Sequence, residues 1–159
     1  MIKITLIVLG KLKEKHLRET CEEYQKRLSR YCDLKIIELS PVNLSENPNE
    51  TQIEGALLKE KDLIIKKIPE SAFVYSLCVE GKQRTSEEFA GQLEDFVNQG
   101  KEICFIIGSS HGLHEEIKSL SKDRLSLSKM TFPHQLFRGM LLEQIYRAEA
   151  IQSGSKYHK

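Results

Sequence analysis

Along this chain the apolar residues keep changing their spacing, from short near-continuous runs to helical stripes and back. Ile2–Leu9 is a run of the first kind and reads as a strand. Leu17, Cys21, Tyr24, Leu28 and Tyr31 then recur at helical spacing, the stripe of an amphipathic helix. Leu34–Leu39 is strand-like again, and Ser40-Pro41 followed by a polar stretch through Asn49 is a loop. A second helix is predicted from about residue 49 to 68, ended by Pro69. Ala72–Val79 and Ile103–Ile107 are apolar nearly throughout, as strands covered on both faces are. Between them Thr85 and Glu88 make a capping-box pattern ahead of Phe89, Leu93 and Phe96, with Gly100 as the stop. A short helix at about 114–120, a strand at about 125–128 and a helix led by Pro133 complete the chain. The order is βαβαβαβαβα, which predicts an α/β fold: a mostly parallel sheet with helices on both faces. At 159 residues the chain is expected to be a single domain, 1–159, because two cores would each be marginal in size.

Composition narrows the function classes. No run approaches the roughly 18 apolar residues of a membrane span, and Lys3 and Thr5 interrupt the first apolar stretch, against an export signal. Cys21, Cys32, Cys78 and Cys104 form no C-x-x-C pair and no Cys/His cluster, so reduced thiols in a cytoplasmic protein fit better than disulfides or zinc. The net charge of +1 hides an asymmetry: residues 1–40 carry +3, residues 41–128 carry −5 and residues 129–159 carry +3. Basic ends permit a phosphate-binding face without a basic chain overall.

Parallel sheets bind ligands beyond the carboxyl ends of their strands. The loop there after the fourth strand, Gly108-Ser-Ser-His-Gly112, reads either as a tight turn or as a close-approach loop for a ligand. It also matches the G-x-S-x-G elbow of serine hydrolases with Ser110 as nucleophile, although no spacing singles out a partner histidine and acid. Neither a P-loop nor a G-x-G-x-x-G fingerprint is present. The carboxyl-terminal segment Leu125-Ser-Leu-Ser-Lys-Met-Thr-Phe-Pro-His134 offers backbone groups and apolar side chains to a flat ligand. Beyond it stand Arg138, Glu143-Gln-Ile-Tyr-Arg-Ala148 and a closing Tyr157-His-Lys159.

These segments, with Val8-Leu-Gly-Lys-Leu-Lys13 and Ile107-Gly108 before Gly112-Leu113, resemble the ribosomal RNA large-subunit methyltransferase H family of the SPOUT class. The resemblance runs over the whole chain. It implies an α/β knot in the carboxyl-terminal part, a homodimer, S-adenosylmethionine as methyl donor, and transfer to N3 of a pseudouridine in 23S ribosomal RNA. It further implies that Leu77, Gly108, Leu127, Ser128, Lys129, Met130, Thr131 and Phe132 hold the donor. The chain departs from the family at Ser109, where a second glycine is usual, and at Glu149 and Ser153. His158 is the candidate proton acceptor, since its ordinary pKa lies near neutrality, and Tyr157 the candidate for positioning the base. Arg138, Arg147, Lys156 and Lys159 are the candidate RNA contacts, with His134 beside them, and no metal is called for. Two rivals stay open: a ribosome-associated RNA-binding protein without catalysis, and a hydrolase built on Ser110.

Overall fold

The computed structural model describes residues 1–159. Five strands and five helices alternate: β1 Ile2–Leu9, α1 Lys15–Leu28, β2 Cys32–Leu39, α2 Glu50–Ile65, β3 Phe73–Gln83, α3 Ser86–Asn98, β4 Ile103–Ile107, α4 Glu115–Leu120, β5 Asp123–Ser126 and α5 His134–Gln152. All strand pairs are parallel, in the order β2-β1-β4-β3-β5. The connections β1 to β2 and β3 to β4 step toward the β2 edge, while β2 to β3 and β4 to β5 step toward the β5 edge. Parallel crossovers are right-handed, so α1 and α3 must share one face and α2 and α4 the other.

The core is divided in that way. Ile4, Leu6 and Val8 of β1 pack with Cys21 and Leu28 of α1, Phe89 and Leu93 of α3, and Leu141 and Ile145 of α5. The alternate residues Ile7 and Leu9 pack on the opposite face with Ile64 of α2 and Ile117 of α4. Helix α5 lies between α1 and α3, so the two basic ends of the chain come together on one face.

Helix boundaries follow local chemistry. Asn49 and Thr85 each accept from the third backbone N–H of their helix, and Gln52 and Glu88 return the bond, completing two capping boxes. Helix α2 stops at Ile65, short of the predicted residue 68, because Lys67 and Ile68 turn back in tighter bonds to Ile64 and Ile65. Strand β3 runs longer than the apolar run that announces it. Leu77 and then Lys82 both pair with Leu125, so Cys78–Gly81 bulge out of the ladder before pairing resumes. Strand β5 begins at Asp123 and ends at Ser126, two residues before its predicted span at each end. No helix is long and apolar enough to cross a membrane.

Candidate functional site

The carboxyl ends of β3, β4 and β5 open onto a cavity of about 610 Å³, inside the range for small-molecule sites. Each wall has its own local cause. At the end of β4 the chain doubles back: Gly112, with φ +86°, donates its N–H to the Ser109 carbonyl at 2.9 Å. The turn comes so close that a side chain at Gly108 would strike the Gly112 carbonyl and lie 2.9 Å from Leu113 Cγ. Only glycine fits there.

The second wall is the β3 bulge. It puts Leu77, Cys78, Val79 and Glu80 along the cavity. Glu80 accepts from Lys118 Nζ at 2.5 Å, and that bond holds its carboxyl below the usual range. The acid and its cation thus compensate each other, leaving no net charge on this wall.

The third wall is the loop after β5. Ser126 Oγ donates to the Ser128 carbonyl at 2.9 Å, and the Met130 N–H donates to Ser128 Oγ at 3.0 Å, a serine turn that sets the path toward Pro133. Leu127, Ser128, Met130, Thr131 and Phe132 face the cavity, with His134 and Phe137 of α5. Of the residues expected to hold the donor, seven line this space together; Lys129 does not. The set suits S-adenosylmethionine chemically: apolar Leu77, Ile107, Leu127 and Phe132 for a flat base, and loop backbone for its polar edges.

His134 stands at the mouth with no hydrogen-bond partner, near Gly10. Burial, reinforced by the cations of Arg138 and Lys13, lowers its pKa, so the ring is neutral at pH 7.

The tail lies elsewhere. Arg147 binds Glu143 at 2.5 Å and sits 4.9 Å from the Tyr157 ring centre, while Tyr157 donates its hydroxyl to Glu143 at 3.1 Å. Burial first, then bonds to Tyr24 and Glu143, push the Tyr157 phenol well up, so it stays protonated. His158 lies 3.1 Å from Arg147 through Nδ1 and 2.7 Å from Glu87 through Nε2. Those partners assign the proton to Nε2 and leave neither ring nitrogen free. Tyr157, His158 and Lys159 do not line the cavity of their own chain.

One expected RNA contact changes, and the hydrolase alternative loses its support. Arg138, expected to meet phosphate, is 5% exposed; it donates to Glu38 at 2.9 Å and to the Gly10 carbonyl at 3.1 Å. Its guanidinium is already committed inside the fold, so it is not offered to RNA. Ser110 is exposed and bonds to no histidine, and His114 is engaged by the Glu116 N–H and Glu54, so the elbow lacks a triad. Lys156 and Lys159 are exposed, as phosphate contacts need to be. Cys78, Glu80 and Lys118 were missed, although the first two lie one and three residues beyond Leu77 at the ligand edge.

Residues 2–158 match the family described as "Predicted SPOUT methyltransferase". The chain is 48% identical to ribosomal RNA large subunit methyltransferase H of Clostridium beijerinckii, over 99% of this chain and 100% of that protein. It is 46% identical to the protein of the same name from Streptococcus uberis, with the same coverage. Among solved structures, a probable methyltransferase from Bordetella pertussis Tohama I superposes with a TM-score of 0.62 over 93% of this chain and 95% of that one. At 10% identity that last likeness speaks for the fold alone.

Proposed function

We propose a function from one premise: this chain belongs to the SPOUT methyltransferase family, and within it to the ribosomal RNA large-subunit methyltransferase H proteins. It transfers a methyl group from S-adenosylmethionine to N3 of a pseudouridine in 23S ribosomal RNA, as a cytoplasmic enzyme with one domain over residues 1–159. The observation that carries this is the cavity in which β3, β4 and β5 bring Leu77, Gly108 and the 127–132 loop together.

S-adenosylmethionine supplies a methyl already activated on a sulfonium. What remains for the protein is to hold an acceptor nitrogen in line with it and to keep water out. Leu77, Ile107 and Leu127 make the dry wall, and the Gly108 turn fixes the floor. The acceptor must lose a proton from N3. His158 is the candidate to receive it, on Nδ1 once that nitrogen exchanges its Arg147 contact for the base, with Tyr157 placing the base and Lys159 steadying negative charge. Since none of the three faces the cavity of its own chain, a homodimer that brings one chain's tail to its partner's cavity fits the expectation. The α/β knot belongs to the same proposal. Its support is the 127–133 loop, which leads from edge strand β5 past the β4 loop to α5 on the α1 face.

Titration calorimetry with S-adenosylmethionine tests the premise. Wild type binds saturably and Gly108→Trp, which fills the turn, does not. Absence of wild-type binding would favour the non-catalytic RNA-binding alternative.

A further inference from the structure

Helix α2 turns Ala56, Glu60 and Ile64 inward at four-residue spacing, so a carboxylate sits where an apolar side chain is the norm. Glu60 is 3% exposed, the only buried acid in the chain. A carboxylate out of water costs several kcal/mol unless hydrogen bonds offset the loss. Glu60 has two: Oε2 accepts from the Val42 N–H at 2.9 Å, and Oε1 accepts from Ser109 Oγ at 3.0 Å. One side chain thus ties the loop after β2 to the turn that floors the donor cavity.

That turn has space on both sides. In front is the large cavity; behind is a second hollow of about 230 Å³ bounded by residues 41–45, Glu60 and the back of the turn. Ser109, Ser110 and His111 border both. Packing alone therefore does not hold the turn forward. The geometry points to Glu60 as a positioning residue that, through Ser109, keeps the 109–112 turn pressed toward the donor cavity and so sets the affinity for S-adenosylmethionine. The assignment rests on the donor site proposed above. Because the link acts on the floor of the site and touches no reacting atom, it acts on donor binding and leaves the methyl-transfer step alone.

Ser109→Ala, Glu60→Leu and the double variant decide it, by calorimetric titration with S-adenosylmethionine and by steady-state kinetics. Each single change weakens binding about tenfold, the scale of a lost bond to a charged group. KM for the donor rises to match while kcat stays within about twofold, the signature of lost uniform binding. The double variant binds about as the singles do, since all three break one link. Ser109→Ala removes only a hydroxyl and keeps the fold, so it decides the matter even if Glu60→Leu is unstable. Wild-type affinity in Ser109→Ala, or a fall in kcat with affinity unchanged, overturns the positioning role while leaving the donor site intact. Failure of the wild type to bind overturns the donor site itself.

Discussion

Cys78 stands half-buried in the cavity wall, and burial together with Glu80 raises its pKa above the ordinary thiol value. Cys21, Cys32 and Cys104 are buried, the last two pushed up to about 12. Since the thiolate is the reactive form, alkylation should be slow at neutral pH, faster near pH 9, and confined to Cys78. Saturating S-adenosylmethionine should protect it. Peptide mapping after iodoacetamide treatment checks this, and modification of Cys78 at the same rate with donor present would move the donor elsewhere.

His134 gives a pH prediction. Its folded pKa lies below the ordinary 6.5, so below that value the unfolded chain binds the proton more readily than the folded one. Stability that is full above 6.5 is therefore lost as pH falls through and below it. Protonation would also set an imidazolium beside Lys13 and Arg138 at the mouth of a site for a cationic sulfonium. Donor affinity should hold near pH 7 and drop only as pH falls below the ordinary histidine value of about 6.5, and His134→Gln should flatten that drop. An unchanged profile in the variant would remove His134 from the account.

Among the elements, α5 is the most instructive. Arg138 shares the inward face of α5 with Leu141, Leu142 and Ile145, and through Glu38 and Gly10 it anchors α5 to the ends of β2 and β1. Arg138→Met should cost about 2 kcal/mol, less than for a fully buried pair because Glu38 remains partly wet. It should leave the salt dependence of RNA binding as in wild type. Thermal melts and binding at several salt concentrations test both halves; a flattened salt slope would restore Arg138 to the RNA face.

The same helix shows where sequence reading succeeds and where it stops. Its periodicity made α5 legible, and the inward register of position 138 was there to be read, but the charge of the residue outweighed its position. Strand β3 was underrun because Glu80-Gly-Lys82 end its apolar run; a bulge is stabilised by pairing with β5, a partner far along the chain. Glu60 carried a local signal, an acid on an apolar stripe, yet its partner Ser109 lies 49 residues away and emerges only from the fold.

For the molecule as a whole, topology explains a charge pattern that composition leaves puzzling. The basic first forty residues and the basic last thirty-one meet because α5 packs between α1 and α3; of the acidic middle, α2 and α4 lie behind the sheet, while α3, with Glu87, Glu88, Glu94 and Asp95, flanks α5 on the same face. Phosphate then has the α1 side of that face to approach, away from acidic α3, and Lys156→Ala with Lys159→Ala should weaken RNA binding and lower its salt slope by about two. The tail that carries them is held by Glu87 and Glu143, away from its own cavity, so the active unit is expected to be a pair. Light scattering should report a dimer, and a monomer with full activity would exclude a shared site.

The central claim is transfer to one base in one RNA. The direct measurement incubates the protein and S-adenosylmethionine with ribosomes that lack the modification, then analyses the 23S nucleosides by mass spectrometry. One methyl group on N3 of a pseudouridine, lost with Gly108→Trp, is the predicted result. Saturable donor binding with no methyl in 23S RNA, or a methyl on another base, would contradict it.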